Sequence, residues 1–313
     1  MNDFATRQYH AVCRVTCGVL LGTFFFAHVA AASIIANFDA GSTSEEVDGH
    51  PGMAGDGWSA AWGSQTASGS SMVQTVKDTN PLTASSGNYL EIVSTNTRVL
   101  DPAQGGSDRT IVRRGYEDYG SVALDSQHTI SFLFRIDSGL DDLYLGALFD
   151  ASGNSTAAGT SSAYYIRHIG STWYVYNGTS LVTTGVSIFE GDTYAFSLDL
   201  NPTDKEWTAS VINLDYVANG RTGSSEYTSG ALAFYGADYR GATPPDSVGG
   251  TPHWNMNMKT KDAEGDPTRT MTWSLDSVHI IPEPSTSALL MGMGFMFFLN
   301  RRRLRIGNSA HSC

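Results

Sequence analysis

The residue types that carry polysaccharide chemistry or metal binding are present in this chain, but they are scattered. Acidic clusters occur at Glu45-Glu46, at Asp141-Asp142 and in the run from Asp262 to Asp266. Retaining glycoside hydrolysis needs two carboxyl groups held about 5 Å apart, whereas these clusters sit in loop-like sequence and read as solvated turns. The histidines between Ser33 and Ile281 are His50, His128, His168, His253 and His279. They lack zinc-site spacing, and no Gly-x-Ser-x-Gly elbow supplies a serine nucleophile. The same interval contains no cysteine, which removes a thiolate nucleophile, a thiolate metal site and a disulfide framework together. One concentration of proton-transfer residues remains, Tyr164, Tyr165, Arg167 and His168 on a single strand-like run. It keeps a polysaccharide lyase open as an alternative, although aromatic cross-strand pairing accounts for the same residues.

Aromatic rings offer binding rather than catalysis. Trp58 and Trp62 fall in the Gly-rich stretch "GDGWSAAWGS" and Trp254 in "TPHWNMN", loop-like contexts in which an indole can stack on a sugar ring. Trp173, Trp207 and Trp273 lie within strand-like runs and are expected in the core.

The elements that must position these residues read as strands. With 41% hydrophobic residues, 11% aromatic, only 16% charged and 33 glycines among 313 residues, the composition suits one large, loop-rich β domain. Alternating or aromatic and β-branched runs begin at Tyr89, His128, Leu143, Ala163, Thr172, Thr193, Glu206, Ala231 and Thr270. Nine or more short strands joined by Gly, Asn and Asp turns predict a sandwich or barrel, and no window shows a helical stripe. Two hairpins are explicit, one turning at Gly170-Ser171 and one at Asn201-Pro202-Thr203-Asp204. In the second, alternation puts Phe196, Leu198 and Leu200 on one face opposite Trp207, Ala209, Val211 and Asn213.

The two ends of the chain are address labels. Arg7 and Arg14 precede an apolar stretch from Val15 to Val29 and the small residues Ala30, Ala31 and Ala32. This predicts a secretory signal peptide over 1–32 cleaved after Ala32, with an uncleaved anchor as the competing reading. Between Ser33 and Ile281 there are 13 Lys and Arg against 29 Asp and Glu, so an acidic body repels phosphate backbones and nucleic acid is excluded as a partner. At the other end, Pro282 and Pro284 are expected to stop the preceding strand. An apolar run of about 287–299 follows, shorter than an ordinary spanning helix. Arg301, Arg302, Arg303 and Arg305 then form a positive stop, which predicts an exported body with residues 306–313 in the cytoplasm.

This C-terminal arrangement, Pro282-Glu283-Pro284 with a short Gly- and Met-containing apolar helix and an Arg cluster, resembles the PEP-CTERM sorting signal over 282–305. The resemblance implies an exported protein of a Gram-negative-type bacterium that makes extracellular polysaccharide. It also implies an exosortase-type membrane enzyme as processing partner, inner-membrane anchoring before processing, and a cell-envelope, biofilm or extracellular location after it. The tail "IGNSAHSC" is longer than the usual ending of such signals.

The order "ANFDAG", "YLEI", "ISFLFRID", "WYVYNG", "TYAFSLDL" and "WSLDSVHI" is similar to the concanavalin A/laminin-G-like jelly roll, spanning most of 33–281. That resemblance implies a glycan-binding or structural module. It also implies a structural calcium mapping onto Asp39 and Asp276, whose hard carboxylate oxygens suit the ion. Jelly-roll hydrolases carry a Glu-x-Asp-x-x-Glu strand, which is absent here. The expectation is therefore an all-β jelly-roll sandwich without catalytic residues, exported, sorted and bound to polysaccharide. A carbohydrate-active enzyme, hydrolase or lyase, is the alternative.

Overall fold

The computed structural model describes residues 34–36, 38–39, 62–66, 70–96, 109–115, 127–139, 143–150, 162–201, 203–235, 251–259 and 269–282. Residues 32–282 form one compact unit, and the two chain ends form another that lies outside the described residues. The expected signal peptide, the apolar helix, Trp58, Glu283, Pro284, the four tail arginines and the acidic clusters at Glu45, Asp141 and Asp262 fall outside them too. Among the described residues there is no helix, and so none long and apolar enough to cross a membrane.

The strands are β1 (Ile34–Ala36), β2 (Trp62–Thr66), β3 (Ser70–Lys77), β4 (Tyr89–Asn96), β5 (Arg109–Gly115), β6 (His128–Ser138), β7 (Leu143–Asp150) and β8 (Ser162–Ile169). They continue with β9 (Thr172–Asn177), β10 (Ser180–Ser187), β11 (Thr193–Asn201), β12 (Glu206–Asn213), β13 (Glu226–Thr228), β14 (Leu232–Ala233), β15 (Thr251–Lys259) and β16 (Arg269–Pro282). Sheet A runs β13-β12-β11-β6-β16-β4-β3, with β1 on β16 and β14 on β12. Sheet B runs β10-β9-β8-β7-β15-β5-β2. The chain is an all-β sandwich.

Alternation explains why the sheets face each other. On β11, Tyr194, Phe196, Leu198 and Leu200 are buried, and on β12 so are Trp207, Ala209, Val211 and Asn213. The register pairs Phe196 with Val211, Leu198 with Ala209 and Leu200 with Trp207, as the sequence pattern predicts. Sheet B answers from across the gap. Trp173 of β9 meets Phe134, Tyr194 and Phe196 edge-on, with ring centroids 5.9, 5.7 and 5.1 Å away. Tyr164 of β8 packs on Trp207 at 5.6 Å. Each of the buried indoles Trp173, Trp207 and Trp273 contributes on the order of 5 kcal/mol of gross apolar burial, and in a body without cysteines packing of this kind holds the sheets together.

Two expectations need correction, and some strands carry no sequence signal. Strand β16 runs through Pro282, which pairs with His128, so the first proline of the tail ends the ladder from within it. A proline can close a strand because its missing N–H matters only where a donor is needed. The run at Ala231 forms only the two-residue β14. Polar strands such as β10 (SLVTTGVS) and β15 (TPHWNMNMK) have no alternation strong enough to announce them.

Phe134 is fully buried and touches Trp173, Phe196 and Trp273. Phe134→Ala is expected to cost about 3–5 kcal/mol in urea unfolding of the purified body, and a loss under about 1 kcal/mol would show that the two sheets do not share this core.

Candidate functional site

Strict alternation fails at two places in sheet A, and both mark the same feature. Residues 134–136 of β6 and 273–276 of β16 are buried consecutively, so their outward side chains must be roofed. The roof is the segment joining β3 to β4. Arg135, outward on β6 and only 4% exposed, donates through Nε to Asp137 Oδ1 at 2.6 Å and through Nη1 to the Asn80 carbonyl at 3.0 Å. Ser274 Oγ donates to Asp137 Oδ2 at 2.6 Å. The Tyr89 ring lies 5.4 Å under the guanidinium, and its hydroxyl donates to the Thr79 carbonyl at 2.8 Å. Thr193 Oγ1 holds the Leu82 carbonyl at 2.8 Å.

The far end of the roof meets Asp39, one of the two acids expected to bind calcium. Asn88 N–H donates to Asp39 Oδ1 at 2.8 Å. A Cβ on Gly87 would stand 2.0 Å from that same oxygen, so the close approach requires glycine. Asp276 precedes a one-residue bulge in β16, where Leu133 pairs with Asp276 but Ser131 with His279. The bulge keeps Asp276 on the outer face while Val278 and Ile280 return to the core. Asp276 is 1% exposed, its Oδ2 accepts from Ser277 Oγ at 3.2 Å, and its Oδ1 is buried without a hydrogen-bond partner. Burial pushes its carboxyl up to about 7; hydrogen bonds from Ser277 oppose that shift, and the nearby Asp39 charge adds to it. The residues beside both acids, Phe38 (φ 56°) and Ser277 (φ 53°), occupy left-handed backbone, a strain of about 1–3 kcal/mol each that accumulates at sites. Two carboxylates near each other, one with an orphaned buried oxygen, fit a hard divalent cation. Among the described residues no group of three His, Cys, Asp or Glu converges, so any remaining ligands would be carbonyls or water.

Asp192 shows what a finished acid looks like in the same molecule. It is fully buried, yet Asn213 Nδ2, Asn219 Nδ2, Arg221 Nε and Arg221 Nη2 donate to it at 2.9, 2.7, 3.1 and 2.8 Å. Burial alone would raise its carboxyl, but the hydrogen bonds from Arg221, Asn213 and Asn219 outweigh it and hold the group below the usual carboxylate range. With both oxygens doubly engaged, it ties the segment after β12 to the sheet.

On sheet B the expected residues divide. Strand alternation sends Tyr164 and His168 of β8 into the core, where His168 meets Trp173 edge-on at 5.8 Å. Tyr165 and Arg167 take the opposite face, so the four residues read as one set do not assemble. Trp62 opens β2 and Trp254 lies in β15, both in register with Arg114 of β5. They are strand positions, not loop positions. The outer face instead gathers a cluster that the sequence did not single out. Tyr235 stacks on Tyr165 at 4.9 Å, and Tyr176 meets both edge-on at 5.3 and 5.0 Å. Tyr174 and Tyr176 are half-buried on this face, and Leu181, paired with Tyr176, is 42% exposed. The only sequence signal is the Tyr-x-Tyr spacing of β9, because Tyr235 arrives just after β14, which pairs with β12 of sheet A and hydrogen-bonds to Asn177 and Gly178 at the end of β9.

Residues 281–303 match the PEP-CTERM protein-sorting motif. The chain carries a PEP-CTERM sorting signal. Its motif begins on the last two residues of β16, and it implies an exosortase as processing partner and a secreted protein processed at the membrane. No curated protein matches the chain in sequence. Among solved structures it is similar to a sialidase, with 12% identity, a TM-score of 0.42, and coverage of 72% of this chain but 17% of that one. An endo-β-1,4-glucuronan lyase from the fungus Trichoderma reesei gives 12% identity, a TM-score of 0.42 and coverage of 77% and 96%. The lectin UEA-II complexed with galactose gives 10% identity, a TM-score of 0.41 and coverage of 71% and 93%. Similarity of this degree carries no statement about ligand or activity.

Asp192→Asn is expected to cost about 2 kcal/mol at pH 7. Because the folded carboxyl lies below its unfolded value, the wild-type advantage is present above roughly pH 4 and is lost as pH falls through the folded value. Urea midpoints of both proteins at pH 7 and near pH 2 check this, and a difference unchanged by acid would refute it.

Proposed function

We propose that the body is an exported, non-catalytic glycan-binding sandwich delivered to the cell envelope or matrix by its PEP-CTERM signal. The observation that carries the binding reading is the half-buried tyrosine cluster on the outer face of sheet B. Tyr165 is buried with Tyr235 stacked on it, the half-buried Tyr176 meets both edge-on, and the exposed Leu181 extends the apolar surface. Rigid aromatic rings with hydroxyls at their edges suit sugar rings, which present C–H faces and hydroxyl rims. They also lose little side-chain freedom on binding.

Asp39 and Asp276 would hold a structural calcium. When bound, the ion supplies the positive charge that Asp276 Oδ1 lacks. The chain's own part is to bring the first strand, the roof and the last strand to one point. With two carboxylates, affinity in the range of extracellular modules, about 10⁻⁴–10⁻³ M, is expected.

Two measurements test these readings. Purified body should bind polysaccharide on a glycan array, and Tyr176→Ala should weaken binding at least tenfold while leaving the unfolding free energy from urea titration within about 1 kcal/mol of the wild type. Release of reducing ends or unsaturated sugars would replace the binding reading with an enzymatic one. Calcium at one hundred times its Kd should raise Tm by roughly 5–10 °C. Gly87→Ala, which displaces the Asp39 carboxylate without removing a ligand, should shrink that rise. Asp276→Asn should abolish it without destabilising the calcium-free protein, since a buried charge is removed. A Tm identical in calcium and in chelator would eliminate the metal site.

A further inference from the structure

Charge is divided between the two sheets. The strands of sheet A carry six Asp and Glu against three Lys and Arg, whereas those of sheet B carry one acid, Asp150, against Arg109, Arg113, Arg114, Arg167 and Lys259. In an acidic body this is a local reversal of sign, and the register shows where it falls. Arg113 of β5 pairs with Asn255 of β15, Asn255 with Gly146 of β7, and Gly146 with Tyr165 of β8. Two residues along the strands, Asn257 pairs with Tyr144, Tyr144 with Arg167, and Arg167 with Tyr174 of β9. Positions in one transverse row share a face of the sheet, as do positions two apart on one strand. Both rows therefore belong to the face that carries Tyr165, Tyr176 and Leu181. Arg109 and Lys259, paired with each other, take the next row of that face.

We propose that this face of sheet B binds an acidic polysaccharide, with sugar rings against the tyrosine cluster and anionic groups against Arg113 and Arg167. This deepens the glycan-binding reading and rests on it. The strand spacing puts the Arg113 position about 14 Å from that of Tyr165 across the sheet, and Arg167 follows Tyr165 about 7 Å along β8. A polymer lying across the strands thus meets rings, then an amide, then a guanidinium. Gly146, between Tyr165 and Asn255 in that row, has no side chain to obstruct it. Guanidinium groups engage carboxylate or sulfate through two parallel N–H bonds, which a neutral sugar does not offer. The acids of sheet A do not cancel this field, because they belong to the other sheet, about 10 Å away across the core, and exposed charges are screened beyond about 8 Å at physiological salt. They repel a polyanion from their own side and so favour its approach to sheet B. A nucleic acid carries the same sign of charge, but a base needs an open ring face to stack on. Tyr235 covers the ring of Tyr165, which is 3% exposed, and the sorting motif implies a secreted protein.

The test compares binding of the purified secreted protein to polygalacturonate, dextran sulfate, neutral dextran and single-stranded DNA by titration calorimetry. One or both charged polysaccharides should bind at least tenfold tighter than dextran and than DNA, and the tighter of the two identifies the anionic group as carboxylate or sulfate. Affinity should fall steeply between about 50 and 200 mM salt. Arg167→Gln and Arg113→Gln should each weaken binding about fivefold and flatten the salt dependence, with urea midpoints unchanged. If Arg167→Gln does not fold, Arg113→Gln on a different strand decides alone. Equal binding of charged and neutral polysaccharide overturns the proposal and leaves the glycan reading standing. Binding of no polysaccharide overturns both, which distinguishes the two failures. DNA bound as tightly as polygalacturonate and dextran sulfate overturns it in favour of charge alone, and so does full affinity in the folded arginine variants in favour of the tyrosines alone.

Discussion

The pairing of β16 is the constraint on which the rest of the structure depends. The last strand among the described residues occupies the middle of sheet A, against β6 along one side and against β4 and then β1 along the other. A central strand contributed last means that the sheet closes only when the C-terminal end of the body arrives, so the contacts that define the fold are long-range and entropically expensive to form. Once formed, they place the first and last strands of the body side by side, and they put the sorting motif at the end of a buried strand.

A single bulge in that strand then decides the chemistry of the outer face. In a regular strand Asp276 and Val278, two positions apart, would share a face, and either the acid would enter the core or the valine would leave it. The bulge allows both to stand where their chemistry suits them. Asp276 is then buried with no hydrogen-bond donor for its Oδ1. Asp192 is the counter-case, a buried carboxylate whose four donors leave nothing for a ligand. The difference between a structural acid and a candidate ligand site lies in those partners, since both carboxyls are equally removed from water.

Much of the fold was legible in the residues. The β11–β12 hairpin followed from alternation and an Asn-Pro-Thr-Asp turn, the β8–β9 hairpin from Gly170, and the three strand tryptophans went to the core because an indole in an alternating run has nowhere else to bury its area. The candidate site was legible only as two separate acids. Its roof residue Arg135, its glycine at 87 and the bulge at Ser277 carry no local signature, because each matters through a partner dozens to hundreds of positions away. The tyrosine cluster was missed for the same reason, while Tyr164, Tyr165, Arg167 and His168 were over-read as one set although a strand of period two must split them.

The sequence by itself determined the class of the molecule: an acidic β body, cysteine-free from Ser33 to Ile281, that ends in a PEP-CTERM motif. Composition, period and local motif order are properties of neighbouring residues, and they survive without a fold. Only the tertiary structure decided that Asp39 and Asp276 come together, that Tyr235 lands on Tyr165, and that Pro282 is a strand residue as well as the start of the motif. Those facts depend on which strands pair and in what register, and register is set by the fit of the whole core rather than by any one stretch of chain.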